Sequence, residues 1–191
     1  MNGIYENDIC IICFTDGACS NNGKKEAISS YADVFPYHEE FNSAGIVPGD
    51  HHTNNRGEFY ALIEAFKQAD LIDPTKSKIL VVYTDSKLLV DTVNIYISWW
   101  KNIFRWKKSN KEDIANIDLV REIDRLKTAR TLYIEHVRGH RRNKDWKATY
   151  NTKADKLARE ALTDAHIREE RHVMRNGMVF TSTSIETDRQ T

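Results

Sequence analysis

The stretch Ile9-Cys10-Ile11-Ile12-Cys13-Phe14-Thr15-Asp16-Gly17 is the part of the chain that decides the fold. It is a nearly continuous apolar run of strand length, which is typical of a central strand covered on both faces. The run ends at Asp16-Gly17, so the sequence predicts that Asp16 lies at the carboxyl end of this strand or just beyond its midpoint. An acidic side chain placed there is a candidate functional group.

The segments on either side of this strand predict the rest of a sheet. Residues 26–35 and 39–47 are rich in β-branched and aromatic residues and are separated by Pro36, which indicates a hairpin. With the first strand they form a predicted antiparallel meander of three strands. Residues 78–83 and 131–137 predict two more strands, which helical crossovers would make parallel.

Helical periodicity fills the intervals between these strands. Apolar residues recur at helical spacing over residues 54–69, after Asp85-Ser86, over 117–126 and from 154 onward, and residues 99–108 are also helix-like. The sequence therefore predicts an α/β fold: a five-stranded mixed sheet, with the meander of three strands plus two parallel strands, and helices on both faces. The polar end beyond residue 176 is expected to fray.

Length and composition set the outer limits. The 191 residues fit one domain, which we place at residues 9–165, between an extension of residues 1–8 and a helix end with a polar tail at 166–191. No apolar run approaches the ~18 residues that span a bilayer, and the first residues lack a signal-peptide pattern. We expect an intracellular, soluble and monomeric protein.

Local charge is more informative than net charge, since 28 basic and 28 acidic residues cancel. Residues 101–111 and 138–147 are both basic, and both are candidates for contact with phosphates. The 101–111 stretch also contains tryptophans.

The three cysteines, Cys10, Cys13 and Cys19, are an odd number near one end, which argues against a disulfide framework. Cys10 and Cys13 have the spacing of half a zinc site or a redox pair. However, residues three apart in a strand point to opposite faces. We therefore expect small thiols that are buried or half-buried.

Four acidic residues, Asp16, Glu58, Asp85 and Asp155, each fall at the edge of a predicted strand or helix. Alone, each belongs to a motif that usually builds a turn or an N-cap. Their order and context allow them to converge on one point. Four carboxylates in one place would repel each other unless cations lay among them, and hard ions such as Mg²⁺ prefer oxygen ligands.

The neighbours of these acids extend the pattern to six motifs. At this level the sequence resembles type 1 ribonuclease H over residues 9–162. The matching stretches are Thr15-Asp16-Gly17-Ala18-Cys19-Ser20, Thr53-Asn54-Asn55-Arg56-Gly57-Glu58, Tyr83-Thr84-Asp85-Ser86, Asn116-Ile117-Asp118-Leu119, Val137-Arg138-Gly139-His140 and Asn151-Thr152-Lys153-Ala154-Asp155-Lys156-Leu157-Ala158. Members of that family cut the RNA strand of RNA–DNA hybrids and leave 5′-phosphate ends.

The resemblance implies a ribonuclease H-like fold and a specific set of catalytic residues. Asp16, Glu58, Asp85 and Asp155 are implied to bind two Mg²⁺ ions, with Mn²⁺ as a substitute. His140, in a loop with glycine and arginine, is implied to be an auxiliary catalytic residue that shuttles a proton or helps to release product. By contrast, we expect His51 and His52 to belong to a polar loop, because Mg²⁺ has little use for imidazole.

The resemblance also implies contacts with an RNA–DNA hybrid. Polar side chains in the minor groove can read the 2′-hydroxyl without reading bases. Alternatively, the asparagines only build turns and a cap. The candidate substrate-binding residues are Asn22, Thr53, Asn54, Asn55, Arg56, Trp100, Trp106, Lys107, Lys108, Arg138 and Asn151; among them Trp100, Trp106, Lys107 and Lys108 resemble the basic protrusion of some family members.

Two departures from the family pattern leave questions for the structure. Lys24-Lys25-Glu26-Ala27 follow Gly23 where glycines are common, and the spacer between His140 and Asp155 is longer by about residues 145–150.

The first alternative to an active endonuclease is a hybrid-binding module without turnover. The second is a detached ribonuclease H domain of a reverse transcriptase, or a junction-resolving relative.

Overall fold

The computed structural model describes residues 9–138 and 145–186, with side chains up to residue 168. Its five strands are β1 (Cys10–Ser20), β2 (Ile28–Val34), β3 (Ser43–Ile46), β4 (Ile79–Thr84) and β5 (Leu132–His136). Its α-helices are α1 (Asn54–Ile72), α2 (Lys87–Asp91), α3 (Ile97–Asn102), α4 (Ile117–Ala129) and α5 (Trp146–Glu186). A 3₁₀ turn (Glu39–Phe41) precedes β3, and a π-helical turn (Thr92–Tyr96) joins α2 to α3.

The sheet confirms the predicted topology. Its strand order is β3-β2-β1-β4-β5. β1, β2 and β3 pair antiparallel, whereas β4 and β5 lie parallel to β1 and to each other. β1 runs past the predicted end at Asp16-Gly17 because it pairs with β2 as far as Ser20, opposite Ile28. Asp16 thus lies just beyond the midpoint of the strand.

Helices cover both faces, as predicted. α1 and α4 pack on one face, over a core that includes Ile11 and Cys13. α5 packs on the other, where the core includes Cys10 and Phe14. The two thiols therefore point to opposite faces, as the strand periodicity predicts, and both are buried and outside any disulfide.

Gly17 and Gly57 bring β1 and α1 into direct backbone contact. A Cβ added at Gly17 would lie 2.2 Å from the backbone nitrogen of Glu58. A Cβ added at Gly57 would lie 2.5 Å from the carbonyl oxygen of Ser30. Any side chain at either position would therefore push α1 away from the sheet.

The prediction of a helix over residues 99–108 is wrong in extent, because α3 ends at Asn102. Arg105 and Trp106 adopt φ values of 48° and 63°. These left-handed conformations cannot continue a right-handed helix. The basic segment therefore continues as irregular chain up to α4.

The extra residues of the spacer before Asp155 do not simply lengthen a loop. α5 begins at Trp146, so most of them form its first turns. Trp146 and Tyr150 pack on Phe14 with ring-centroid distances of 5.3 Å and 5.5 Å. α5 continues as helix to Glu186, beyond the predicted onset of fraying at residue 176. Among the described residues, no helix combines the length and apolarity needed to cross a bilayer.

Replacement of Gly17 by alanine should destabilise the protein more than a glycine-to-alanine change elsewhere in the sheet. We expect Gly17→Ala to lower the free energy of unfolding by about 1–3 kcal/mol or more, the usual range for overpacking. The reason is that the clash is with backbone atoms, which cannot rotate away. Urea denaturation in the presence of a chelator measures the difference.

Gly45→Ala is the matched control. Its new Cβ would lie 3.2 Å from the ring of Tyr31, a side chain that can shift slightly. The control should lose clearly less stability. Equal losses for the two variants would contradict the proposed backbone constraint.

Candidate active site

Three of the predicted acidic residues converge in the structure. Asp16 lies on β1, Glu58 lies in the second turn of α1, and Asp85 directly follows β4. One carboxylate oxygen from each residue lies within 4.8 Å of the other two. Asp16 and Glu58 are buried, whereas Asp85 is half-buried.

Strand register and strand length explain this convergence. Phe14 on β1 pairs with Tyr83 on β4, and Asp16 and Asp85 each lie two residues further along. β4 ends at Thr84 while β1 continues to Ser20. Beyond that point β1 has no pairing with β4, so side chains from α1 on one face and α5 on the other can approach Asp16.

Burial and mutual repulsion shift the proton affinity of the cluster. Burial, followed by the charges of Asp85 and Asp155, raises the pKa of Asp16 to about 8, against the opposing effect of the Gly17 backbone N–H. That N–H donates to Asp16 Oδ1 at 2.8 Å. Burial, followed by the charges of Asp16 and Asp85, also raises the pKa of Glu58 well above its usual range.

The residues present fit a divalent cation. Within the described part of the chain, Glu58 Oε2 is a buried oxygen without a hydrogen-bond partner. An ionised carboxylate in that position needs a cation or a donor to offset the loss of water. Three convergent carboxylate oxygens are a donor set that suits Mg²⁺ or Mn²⁺.

Asp155 lies close enough to influence this cluster but is not one of the three grouped residues. Its charge contributes to the raised pKa of Asp16. Its Oδ1 accepts a hydrogen bond from Arg159 Nε at 2.8 Å, one helical turn further along α5. Its assignment as a metal ligand stays a prediction.

Asp85 is held at both its side chain and its backbone. Asn151 Nδ2, from α5, donates to Asp85 Oδ2 at 3.3 Å. His136 Nε2, at the end of β5, lies 3.1 Å from the Asp85 carbonyl oxygen. Asn151 was predicted to bind substrate; in the structure this buried side chain contacts the Asp85 carboxylate, and its role in substrate binding stays a prediction.

Four of the predicted substrate-binding residues line one groove of about 260 Å³ at the start of α1. Thr53 Oγ1 caps α1 by accepting from Arg56 N at 3.1 Å, and Asn22 Oδ1 accepts from Asn54 N at 3.2 Å. The capping role that the sequence left open therefore exists alongside any role in binding. The groove is lined by Asn22, His51, Thr53, Asn54, Asn55, Ala115 and Asn116.

Arg56, which was predicted to contact phosphate, has a partner within the protein. Its Nη1 and Nη2 donate to the two carboxylate oxygens of Asp118 at 3.0 Å and 2.5 Å. Nη1 also approaches Asn116 Oδ1 at 3.4 Å. This bidentate pair ties the start of α1 to the start of α4.

The aromatic and basic side chains in and after α3 also form contacts within the protein. Trp100 and Trp106 are half-buried and pack on the core, whereas Trp99 is the exposed ring at 52%. Lys107 and Lys108 form ion pairs with Asp113 and Glu112. The structure therefore gives these four predicted substrate-binding residues contacts within the protein itself.

His140 lies outside the described residues, so its predicted catalytic role stays a prediction. Arg138, just before it, is exposed. Arg138 also lines a pocket of about 340 Å³ next to the end of β5. That exposure is compatible with its predicted contact with phosphate.

Sequence reasoning missed the contact made by His136 and two groove residues, His51 and Asn116. His52 has a structural contact in its loop, as expected, since its Nδ1 lies 3.0 Å from Ser29 Oγ. His51, in contrast, lines the groove at the start of α1. Asn116 lines it too, in a left-handed conformation with φ 55°. The signal for His136 was the parallel register, which pairs it with Thr84 beside Asp85.

The structure combines a mixed five-stranded sheet with carboxylates gathered where parallel strands end. The chain matches the RNase H family over residues 8–163. The protein therefore belongs to the ribonuclease H family of endonucleases.

Individual relatives agree with this assignment. A ribonuclease H of Clostridium botulinum strain Hall is 31% identical over 159 residues, which are 82% of this chain and 98% of that protein. A ribonuclease H of Francisella philomiragia is 34% identical over 166 residues, 85% of this chain and 97% of that protein. Mouse ribonuclease H1 is 31% identical over 150 residues, which are 78% of this chain and 49% of that protein.

Solved structures share the fold. A foamy viral protease-reverse transcriptase in complex with RNA/DNA hybrid has a TM-score of 0.66 at 20% identity, over 84% of this chain and 21% of that one. LC11-RNase H1, isolated from compost, has a TM-score of 0.57 at 21% identity, over 82% of this chain and 97% of that one. At these identities the similarity concerns the fold alone.

Raised pKa values in the cluster predict how stability depends on pH in the absence of metal. The folded protein holds a proton on Asp16 up to about pH 8, whereas the unfolded chain releases it near the ordinary value of 3.8. Between these pH values the folded state binds more protons, so the free energy of unfolding falls as pH rises. Asp16→Asn should flatten this fall, and should stabilise the metal-free protein at neutral pH.

Urea denaturation with a chelator at pH 5, 6, 7 and 8 measures the slope. Asp164→Asn, which replaces an exposed carboxylate on α5, is the control and should keep the wild-type slope. A wild-type slope in Asp16→Asn would contradict the electrostatic coupling.

Proposed function

We propose that this protein is an endonuclease that hydrolyses the RNA strand of RNA–DNA hybrids, largely without regard to sequence. The proposal assigns catalysis to residues 9–165. Its metal site consists of Asp16, Glu58, Asp85 and Asp155, which hold two Mg²⁺ ions, with Mn²⁺ as a substitute. The observation that carries it is the buried carboxylate cluster in a chain of the ribonuclease H family.

In this proposal the carboxylates hold the cations in position and balance their charge, and they do not themselves attack the phosphodiester. Two bound ions would supply a hydroxide-like nucleophile and a stabilised leaving oxygen. The chain supplies one acidic group on a strand, one directly after a strand and two on helices, so the positions of the oxygens are set by the fold. Burial and mutual repulsion destabilise the ionised forms of Asp16 and Glu58, and bound cations would offset both effects.

The groove at the start of α1 is the proposed contact with the hybrid. Its asparagines carry both a donor and an acceptor, which suits a 2′-hydroxyl that is itself donor and acceptor. The foamy viral neighbour in complex with RNA/DNA hybrid, which shares this fold, is compatible with the proposal. We further propose that Arg138 contacts phosphate and that His140 assists proton transfer or product release.

A hybrid-binding module without turnover is the alternative to be tested. A binder gains nothing from carboxylates placed against phosphates, because like charges repel. The half-buried Asp85 and the neighbouring Asp16 would weaken binding unless metal ions intervened. The alternative predicts equal binding of hybrid with and without Mg²⁺, and no cleavage.

Purified protein should cut the RNA of an RNA–DNA hybrid in Mg²⁺ or Mn²⁺, and should be inactive with chelator. Asp16→Asn and Asp85→Asn should lose more than the ~10–100-fold that removal of an outer-sphere partner costs, because each removes a ligand. Gel analysis of labelled hybrid, double-stranded RNA and double-stranded DNA measures activity and substrate choice. Absence of cleavage by the wild-type protein in both metals would overturn the proposed function.

Asn54→Ala tests the groove separately from the metal site. Loss of about one hydrogen bond should raise KM for hybrid roughly 3–10-fold, with kcat nearly unchanged. Asn94→Ala removes an exposed asparagine outside the groove and is the matched control. Steady-state kinetics at saturating Mg²⁺ separates the two constants, and an unchanged KM in Asn54→Ala would rule out a substrate contact by this side chain.

A further inference from the structure

His136 is a polar residue next to the carboxylate cluster that the proposed mechanism leaves without a role. It is the last residue of β5, it is exposed, and it pairs in parallel register with Thr84. Its Nε2 lies 3.1 Å from the carbonyl oxygen of Asp85. Because a carbonyl oxygen can only accept, the imidazole donates from a protonated Nε2.

The Asp85 carbonyl lies where regular secondary structure ends. β4 finishes at Thr84, whose carbonyl still accepts the ladder-like bond from Val137 N at 2.8 Å. α2 begins at Lys87, and Ser86 is its N-cap. Asp85 therefore falls between the strand ladder and the helix. Within the described part of the chain, the His136 imidazole is the group that reaches its carbonyl.

Asp85 is consequently held from two sides. Asn151 donates to its carboxylate from α5, and His136 donates to its backbone from β5. A change in the tilt of the 85–86 peptide would swing the Asp85 side chain, and metal sites tolerate only about 0.5 Å of displacement. The backbone bond thus controls the direction in which the carboxylate points.

We propose that His136 is a positioning residue for the metal site: its imidazole fixes the Asp85 backbone so that the Asp85 carboxylate faces Asp16 and Glu58. The inference rests on the proposed metal-binding function of these acids. The positioning role requires a hydrogen-bond donor at the position of Nε2, and it does not depend on protonation or deprotonation of the ring. The exposed imidazole contributes little to the core, so its removal should leave global stability nearly unchanged.

Two substitutions separate a donor from other roles of a histidine. His136→Gln keeps an N–H donor that can reach the carbonyl, while it removes the ability to exchange protons near neutral pH. His136→Phe keeps a planar ring and removes the donor. Positioning requires that glutamine rescues and phenylalanine does not, whereas proton transfer by His136 requires that both fail.

Direct Mn²⁺ binding, measured by the electron paramagnetic resonance of free Mn²⁺, is the first readout. Loss of an outer-sphere partner should weaken binding about 10–100-fold in His136→Phe, with His136→Gln remaining close to wild type. Asp16→Asn is the control for the proposed metal site itself. If the wild-type protein binds Mn²⁺ no better than Asp16→Asn, the proposed metal site is wrong, and the result does not bear on His136.

Backbone amide NMR in chelator is the second readout, and it does not depend on metal or activity. The Ser86 amide, which shares its peptide group with the Asp85 carbonyl, should shift in His136→Phe and stay near its wild-type position in His136→Gln. Unchanged Ser86 shifts in His136→Phe would overturn the proposal, as would unchanged Mn²⁺ affinity. Loss of cleavage in both variants with intact Mn²⁺ affinity would also overturn it, in favour of direct proton transfer.

Discussion

The backbone contact between Gly17 and Gly57 is the constraint on which the site depends. Each glycine is the direct neighbour of an acid, Asp16 in β1 and Glu58 in α1. Because neither glycine carries a Cβ, strand and helix approach until an added Cβ would lie 2.2 Å from a backbone nitrogen. This approach brings two carboxylates into contact that side chains of ordinary size would hold apart.

The same approach buries charged groups near the start of α1, and a second buried charge lies near the end of α1. There the side chain of Arg130, which follows α4, is 1% exposed, and all its N–H donors are hydrogen-bonded. Its partners are Asp70, Asp73 and the carbonyls of Ala69, Asp73 and Lys78. At the site, the described residues offer Glu58 Oε2 no donor and leave like charges facing each other. Arg130 shows that this fold can provide hydrogen-bond partners for a buried ion. The lack of such a partner for Glu58 Oε2 among the described residues therefore indicates a role of the acidic cluster in function and not in stability.

Much of this molecule follows from local sequence patterns. The apolar run before Asp16 determined a central strand, the 3.6-residue periodicity after Asn54 determined α1, and the alternation of elements determined a mixed sheet. The ordered motifs around four acids indicated the family and named the three carboxylates that converge. These predictions succeed because strand burial, helix amphipathicity and chain order depend on residues near one another in the chain.

Other features depend on tertiary contacts that local patterns do not carry. Arg56 looked free for phosphate until α4 placed Asp118 against it, and Trp100 and Trp106 looked available until they packed on the core. The sequence indicated only a longer spacer before Asp155, whereas in the structure α5 begins at Trp146 and packing of Trp146 on Phe14 stabilises this start of the helix. The sequence by itself determined the sheet, the family and the acidic residues. Only the tertiary structure decided which polar side chains form contacts within the protein, as His136 and Asn151 do with Asp85. The reason is that these partners come from segments distant in sequence.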